Sequence, residues 1–253
     1  MNTSLEPPPP PRAPVPCTAC PLRRMAVFKS NSQDELLFLN SFKDAHLTVA
    51  AGQPIVWQGQ AATLGTLFSG WAFRFKSLSD GRRQILNFVL PGDLIGLQDQ
   101  SHEVSPHGVE ALTDVELCRF DTDRLWTLYS RFPKLAYDVT WLAAHEESLV
   151  DENLLTVGRR SASERIAMLM LHLYKRSVAL GLAQDGQVPW PVNQQHIADA
   201  VGLSLVHTNR TLRKLYRQGL FAVQDGWLHL PDPGALGRLA DYYEQPVPRR
   251  PLI

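Results

Sequence analysis

The sequence predicts an α+β fold in which an N-terminal β-barrel, a long helix and a C-terminal winged helix-turn-helix follow one another. Three observations predict it. Short β-rich segments separated by turn residues recur between about residues 46 and 120. A stripe of apolar residues with helical spacing follows Pro133. Two short helical segments joined by Gly202 then precede a hairpin signal at Asp225-Gly226.

The composition is that of an ordinary globular protein. The chain has 253 residues, of which 44% are hydrophobic and 20% charged, enough for one large domain or two smaller ones. No apolar run approaches the ~20 residues that span a bilayer, and the first residues lack the pattern of a signal peptide. Three cysteines, an odd number, do not suit a secreted disulfide framework. We therefore expect a cytoplasmic protein without a membrane segment.

Charge is unevenly distributed, although the formal net charge is zero. Residues 158–220 contain nine Lys or Arg and three acidic residues, which gives this segment a net charge of about +6. The remainder is net acidic by the same amount. A basic C-terminal part can approach phosphates, although a solvated basic surface would give the same count.

The first 132 residues divide into a tail and a barrel domain. Residues 1–16 include five consecutive prolines and are predicted to form a disordered, extended tail. Residues 17–132 are predicted to form the barrel domain, which begins with a Cys-x-x-Cys segment and a helix over Gln33–Phe42 capped by Ser32. The β-rich segments predicted to form its short strands cover residues 46–49, 55–57, 66–76 and 84–90, with the closing strands in residues 109–120.

Residues 133–157 are predicted to form one long helix that Gly158 ends. One face carries a narrow stripe with coiled-coil-like spacing, apolar except for one acid: Leu135, Val139, Leu142, Glu146 and Leu149. Such a stripe either packs on its own domain or pairs with a second copy, and the charged opposite face favours pairing. We therefore expect a homodimer whose seam contains Glu146, an acid that weakens pairing, helps to fix register and makes the dimer a point of control.

Residues 158–245 are predicted to form the winged helix-turn-helix domain, and residues 246–253 a tail. A first helix covers about residues 162–180. Asn193 caps a short helix that stops at Gly202, and Ser204 caps the next helix, which extends to about Gln218. Strands at residues 220–223 and 227–230 flank the Asp-Gly turn, and this hairpin is the predicted wing.

The second helix of this motif has one apolar and one polar face. Its predicted buried positions are Leu205, Thr208, Leu212 and Leu215. The cap and the polar face are expected to contact DNA through Ser204, Val206, His207, Asn209, Arg210, Arg213, Lys214 and Arg217. Arg can bond guanine and Asn adenine in the major groove, whereas basic residues further along the helix reach phosphates. We expect a regulator whose dimer reads double-stranded DNA at a palindrome-like site, with RNA polymerase as a further partner if it activates transcription.

Four segments resemble the Crp/Fnr family of bacterial transcription regulators. They are residues 70–74 (GWAFR), 79–86 (SDGRRQIL), 91–96 (PGDLIG) and 193–220. The resemblance covers nearly all of the chain after the proline tail. It implies a barrel of the cyclic-nucleotide-binding type (a double-stranded β-helix or jelly roll), a dimerisation helix and a winged helix-turn-helix. The barrel is then expected to sense a redox, oxygen or small-molecule signal and to control DNA binding through the dimer helix.

The resemblance also places the family's base-reading positions on Val206, Asn209 and Arg210. The Fnr branch has Glu-x-x-Ser-Arg there. This sequence keeps only Arg210, and His207 is expected to join the reading set. A different operator from that of the Fnr branch is therefore expected.

Members of the family that bind cyclic AMP have a Gly-Glu and an Arg-Ser pair in the barrel. Here the resemblance places the first pair on Gly92-Asp93 and the second on His107-Gly108 or its neighbours. Without that arginine a phosphate loses its main bidentate partner. Cyclic nucleotide binding is therefore not expected.

Cys17, Cys20 and Cys118 leave the sensed signal open. Fnr-type oxygen sensors hold a 4Fe–4S cluster with four cysteines, and these three match all but one, whose position falls at about Ala26. A cluster needs four ligands, so an oxygen or imidazole group would have to supply the last. Alternatively, the Cys-x-x-Cys pair is a redox thiol pair or half of a zinc site. In the third interpretation all three cysteines are structural, and Cys118 is buried in a strand.

Two other classes of protein compete with a DNA-binding regulator. The first is a β-barrel signalling or ligand-binding protein whose C-terminal domain contacts protein rather than DNA, and removal of Arg210 would distinguish the two. The second is an enzyme, which the sequence does not favour, since it contains no Gly-rich phosphate loop, Ser/His/Asp motif or His-Glu-x-x-His.

Overall fold

A computed structural model describes residues 15–61, 63–98, 104–243 and 249–253 of the chain. Most of the predicted proline-rich tail, residues 1–14, lies outside the described residues, as does the domain boundary predicted between residues 245 and 246. No helix in the described ranges is long and apolar enough to cross a membrane.

In the described part of the barrel, eight antiparallel strands form two sheets that pack together. The strands are β1 (Lys43–Val49), β2 (Pro54–Val56), β3 (Gly65–Ser69), β4 (Ala72–Ser77), β5 (Arg83–Val89), β6 (Leu94–Ile95), β7 (Gly108–Ala111) and β8 (Val115–Phe120). Their order is β1-β8-β3-β6 in one sheet and β2-β7-β4-β5 in the other. Leu67, Val109 and Leu117 are fully buried between the sheets. This arrangement confirms the predicted barrel.

The β-rich segment predicted over residues 66–76 contains two strands, because the chain changes sheet within it. Gly70 has a φ of 82°, and a Cβ built on it would lie 2.3 Å from the carbonyl oxygen of Asp114. Only glycine can make so close an approach with this backbone conformation. The segment therefore divides into β3 and β4, which belong to different sheets.

Three helices pack around the barrel: α1 (Gln33–Phe42), α2 (Leu125–Arg131) and α3 (Pro133–Arg159). The α1 prediction is confirmed, since Ser32 and Glu35 form a reciprocal capping box. The prediction that Gly158 ends the long helix is wrong, because Gly158 lies inside α3. The helix ends where Arg160 becomes extended and Ser161 begins the cap of the next helix.

The predicted dimer seam of α3 is also wrong, because it faces the barrel of its own chain. Leu135, Val139 and Leu142 are 0%, 2% and 7% exposed and pack on Phe38 and Phe42 of α1, among others. Glu146 accepts hydrogen bonds from Arg74 (2.9 Å) and Asn87 (3.0 Å), and Leu149 lines a cavity between the barrel and the next helix. Periodicity identified an apolar face but not what covers it.

The C-terminal domain contains a three-stranded sheet and four helices within the residues described. They are α4 (Ala162–Ala179), β9 (Gln187–Pro189), α5 (Gln194–Val201), α6 (Leu205–Arg217), β10 (Ala222–Gln224), β11 (Trp227–His229) and α7 (Pro233–Ala240). The sheet has the order β10-β11-β9. Neither β9 nor α7 was predicted from the sequence. Fully buried Ile166, Leu215 and Leu236 join α4, α6 and α7 in one core.

The two domains contact each other where α4 and α5 meet the β5 strand. Arg83 forms a 2.6 Å ion pair with Asp199, and the Gln84 amide donates to the Ala200 carbonyl at 2.9 Å. Arg176 of α4 donates to the carbonyl of Phe88 at 2.9 Å. These polar contacts give the C-terminal domain a definite orientation on the barrel.

Candidate DNA-binding surface and sensor pockets

Local capping interactions position both helices of the helix-turn-helix. The Asn193 side chain accepts a hydrogen bond from the His196 backbone (2.9 Å), and Gly202 ends α5 in the left-handed conformation, with φ 66°. Ser204 caps α6, since its hydroxyl accepts from the backbone of His207 at 3.2 Å. The predicted caps, turn and helix limits are therefore confirmed.

The face of α6 opposite the core carries the predicted DNA-contacting residues. Val206 is 80% exposed. The exposed basic residues are Arg210, Arg213, Lys214 and Arg217, while His207 and Asn209 are half-buried. The nitrogen Nε of Arg217 donates to the carbonyl of Arg213 at 3.2 Å, so this side chain lies along the helix. A continuous basic surface therefore follows one side of α6.

The apolar face of α6 differs from the prediction at one position. Thr208, Leu212 and Leu215 are buried, but Leu205 is 41% exposed. Leu205 begins the helix, where its first turn extends beyond the core. Thr211 is buried instead and satisfies its hydroxyl by donating to the His207 carbonyl at 2.9 Å. A buried threonine that bonds its own helix has no distinct signal in the sequence.

The predicted wing is confirmed as the hairpin of β10 and β11. Asp225 and Gly226 have φ values of 50° and 79°, the left-handed pair that a tight two-residue hairpin turn requires. The third strand, β9, pairs with β11 and anchors the hairpin to the domain.

The three cysteines converge on one small pocket at the edge of the barrel. Cys17, Cys20 and Cys118 line a cavity of about 20 Å³ together with Arg23 and Lys43. Burial raises the pKa of the Cys17 thiol, and the positive charges of Lys43 and Arg23 oppose it only in part. Burial also raises the pKa of Cys118 to about 11. Both thiols are therefore protonated near neutral pH, which is the less reactive form.

The pocket does not fit a 4Fe–4S cluster. Three cysteines are present where a cluster needs four ligands, and the cavity has the volume of a water molecule or two. Among the described residues, no three His, Cys, Asp or Glu side chains are grouped so that they would hold a metal ion. Leu252 and Ile253 fill the adjoining space and also line the pocket.

A second cavity, of about 440 Å³, lies between the barrel and α3. It is lined by Arg74, His107 and Glu146, among others. Arg74 is 8% exposed and already paired with Glu146. Burial and the charges of Arg74 and Lys76 lower the pKa of His107 to about 4, so it is neutral near pH 7. His107 therefore cannot supply the positive charge of the missing arginine.

Asp93, from the Gly92-Asp93 pair, is not among the residues that line this cavity. Its carboxylate accepts hydrogen bonds from Arg176, Arg250 and, at 2.7 Å, the backbone of Leu90. The sequence pattern placed this acid at a ligand loop, but the structure makes it the centre of a buried ion-pair cluster. Arg250 is 157 residues away in the chain, so no local pattern identifies the pair.

Two family models match the chain. One describes a Crp-like helix-turn-helix domain and covers residues 164–239, and the other describes a cyclic nucleotide-binding domain and covers residues 46–132. The chain is 33% identical to the nitrogen fixation regulation protein FixK of Bradyrhizobium diazoefficiens over 227 residues, 88% of this chain and 93% of that protein. It is 28% identical to the transcriptional activator protein FnrL of Cereibacter sphaeroides, over 82% of this chain and 84% of that protein.

A solved structure shows the same architecture. FixK2 from Bradyrhizobium japonicum superposes with a TM-score of 0.70 at 26% identity and covers 77% of this chain and 96% of its own. The two structures thus agree in the order and the geometry of the barrel, the long helix and the winged helix-turn-helix. Sequence, fold and relatives identify the chain as a member of the Crp/Fnr family of DNA-binding transcription regulators.

Proposed function

We propose that this chain is a homodimeric transcription activator that works in the cytoplasm and reads its operator with the exposed face of α6. The observation that carries the proposal is the capped α6 helix, which presents Arg210, Arg213 and Arg217 to solvent beside the wing. Relatives that are named transcriptional activators, among them FnrL, support activation rather than repression of transcription.

The residues of α6 divide into two roles along the helix. The first turns, with Val206, His207, Asn209 and Arg210, enter the major groove and meet base edges. Arg213, Lys214 and Arg217 lie further along, where they neutralise phosphates. Ser204 holds the first turn through its cap. Val206 gives an apolar contact where the Fnr branch has an acid, so the preferred bases differ.

Removal of Arg210 and of Arg213 distinguishes these roles. We expect Arg210→Ala to cost about 1–3 kcal/mol of specific binding while nonspecific binding is nearly kept. Arg213→Ala should weaken binding to all sequences alike and reduce the salt slope by about one. The measurement is fluorescence anisotropy with a palindromic duplex selected from random DNA by the wild-type protein, over a range of salt concentrations.

The exposed residue Gln218, just beyond α6, provides the control as Gln218→Ala. If Arg210→Ala left both the affinity and the salt slope at the values of this control, α6 would not be the reading helix. The rival function, a protein-contacting C-terminal domain, would then be favoured.

An exposed face of α3, which borders the cavity between this helix and the barrel, is the surface that we assign to the dimer. Its residues have the alternating three- and four-residue spacing of a coiled coil: Thr140, Ala143, Glu147, Val150, Leu154 and Val157. Leu154 is 68% exposed and Val150 is 42% exposed in the single chain, so both are available to a second copy. This face lies beside the inward stripe that packs on the barrel, and Glu147 replaces Glu146 as the acid on the seam.

Two neighbouring leucines test this face. Leu154→Glu should convert the dimer to monomers, because it places a charge between the two helices. Leu155 is 48% exposed but lies about 100° further around the helix, so Leu155→Glu should leave the dimer intact. Sedimentation equilibrium measures both, and a Leu154→Glu protein that stayed dimeric would contradict the assignment.

The signal that we favour is a change of the thiols rather than a cyclic nucleotide. His107 is neutral near pH 7, and Arg74 is already paired with Glu146. Neither side chain of the barrel cavity is therefore available as a positive charge for a phosphate. The pocket of Cys17, Cys20 and Cys118 lies close to two cations and at the junction of several segments.

A further inference from the structure

A short segment near the end of the described chain packs on the barrel. The backbone of Arg250 donates to the carbonyl of Val27 at 2.8 Å, and its carbonyl accepts from Lys29 at 2.9 Å. The side chains of Leu252 and Ile253 are 3% and 6% exposed. This docked position corrects the prediction of a simple tail over residues 246–253. Residues 249–253 are called the latch segment below.

The latch segment closes the cysteine pocket. Leu252 and Ile253 line the same cavity as the three thiols. Two hydrogen bonds hold them there: Arg23 donates to the Leu252 carbonyl at 3.1 Å, and the Thr66 hydroxyl donates to the Ile253 backbone oxygen at 3.0 Å. Since the remaining cavity is only about 20 Å³, a group attached to a pocket sulfur would need the volume that the latch segment fills.

The same segment reaches the DNA-binding domain through Asp93. One carboxylate oxygen of Asp93 pairs with Arg250 of the latch segment, and the other pairs with Arg176 of α4. Burial alone would raise the pKa of Asp93, but attraction to Arg176 and Arg250 lowers it to about 2. One buried carboxylate therefore joins the barrel, the latch segment and the first helix of the DNA-binding domain.

We propose that the latch segment couples the state of the pocket thiols to DNA binding. When docked, it shields Cys17 and Cys118 and completes the Asp93 cluster that fixes α4 to the barrel. An electrophilic alkene that adds to a pocket thiol, with the sulfur bonding one alkene carbon and the thiol proton passing to the other, expels it. The proposal rests on the DNA-binding function, because DNA affinity is its output.

The docked state is the one that binds DNA. The basic face of α6 is exposed while the latch segment is docked, so nothing in the described chain covers it. Release leaves Asp93 with Arg176 as its one arginine partner, and so weakens one of the contacts that orient α4 on the barrel. DNA binding must then restrict the additional motion that this weaker contact allows, which lowers the affinity.

Thermodynamic linkage makes the coupling reciprocal. If modification of the thiols weakens DNA binding by some factor, bound DNA must disfavour opening of the latch segment by the same factor. DNA should therefore protect thiols that it does not touch.

The experiment measures N-ethylmaleimide labelling of each cysteine by mass spectrometry on the full chain. In this reaction the sulfur adds to one carbon of the maleimide double bond, and the thiol proton ends on the other. In the Arg250→Ala variant, Cys17 and Cys118 should be labelled about tenfold faster than in the wild type. The reason is that loss of the Arg250 side chain lowers the free energy needed to open the latch segment locally. The matched control is Arg249→Ala, because Arg249 is the exposed neighbour in the same segment.

The second arm adds a palindromic duplex selected by the wild-type protein. Saturating duplex should slow labelling of wild-type Cys17 roughly fivefold or more, and Arg250→Ala should bind the duplex more weakly by a similar factor. Leu252→Asp, which keeps Arg250 but expels an apolar side chain from the pocket, should speed labelling as well. Far-ultraviolet circular dichroism confirms that each variant is folded.

Equal labelling rates for Arg249→Ala, Arg250→Ala and Leu252→Asp would overturn the latch. If a duplex that the wild type binds left the labelling rates unchanged, the proposed coupling would be overturned. Failure of the wild type to bind any duplex would instead contradict the DNA-binding function, and the labelling arm without DNA would still test the latch by itself.

Discussion

The reading helix and the thiol pocket are built in opposite ways. The residues assigned to DNA lie within 204–217, and most of them face solvent. The pocket draws its lining from segments as distant as Cys17, Thr66, Cys118 and Ile253, which are buried or half-buried. On α6, function and stability are therefore carried by different faces. Around the pocket, the same side chains carry both.

The largest expected effect concerns the carboxylate that joins the pocket to the DNA-binding domain. Asp93→Asn should lower the free energy of unfolding by about 3–5 kcal/mol, because Arg176 and Arg250 lose a buried partner. The matched control is Asp44→Asn, which breaks the half-exposed pair with Arg119 and should cost about 0–1 kcal/mol. Urea denaturation at pH 7 measures both.

If Asp93→Asn and Asp44→Asn lower the free energy of unfolding equally, the Asp93 cluster does not stabilise the fold. The contrast between the thiol pocket and the reading helix would then have no basis.

The contribution of Asp93 to the free energy of unfolding of the wild type should also persist at acidic pH. Because its folded pKa of about 2 lies below the ordinary value of 3.8, this stabilisation is complete above pH 4 and is lost as the pH falls towards 2.

An intermediate effect is expected from His172, which lines the cavity between α4 and β5. Burial, together with the charges of Arg176 and His145, lowers the pKa of His172 to about 3, although Asp93 opposes the shift. The unfolded chain takes up a proton near pH 6.5 and the folded chain does not, so stability is lost as the pH falls below 6.5. The slope is at most about 1.4 kcal/mol per pH unit for this group.

Urea titrations of the wild type and of His172→Gln between pH 7 and pH 5 provide the test. The variant should show a shallower loss of stability over this range. Identical slopes would mean that the interface between α4 and the barrel does not exclude the proton.

The smallest effects on stability are expected on the exposed face of α6. Arg213→Ala and Lys214→Ala should change the free energy of unfolding by less than about 0.5 kcal/mol while they weaken DNA binding. Leu215→Ala, on the buried face of the same helix, should cost about 2–5 kcal/mol. Thermal or urea unfolding separates the two faces. A loss of 2 kcal/mol or more for either basic residue would mean that function and stability are not separated here.

The contrast between a site built from neighbouring residues and one built from distant segments also explains which features could be predicted from the sequence. The helix-turn-helix was predicted almost residue by residue because its signals are local: a cap at Asn193, a left-handed Gly202, a cap at Ser204 and an Asp-Gly hairpin turn. Each of these needs only its immediate neighbours. The barrel was predicted as a class, since turn residues divide short strands, but its sheet change at Gly70 depends on the distant Asp114.

Features that depend on distant partners were missed. Leu135 and Leu154 are both leucines of α3, but the first is buried on the barrel and the second is exposed, and periodicity alone does not choose between the two faces. The joint between Asp93 and Arg250 unites residues that are 157 positions apart. Only the folded chain brings them together.

The most direct test of the central claim, that α6 reads DNA bases, is a discrimination profile. The affinities of the wild type and Arg210→Ala are measured for the selected palindrome and for duplexes in which each base pair in turn is replaced. The wild type should lose about 1–3 kcal/mol at each recognised pair. Arg210→Ala should lose its discrimination at one pair in each half-site, symmetrically, and keep it elsewhere. An unchanged profile with a uniformly lower affinity would contradict the claim and reduce Arg210 to a phosphate contact.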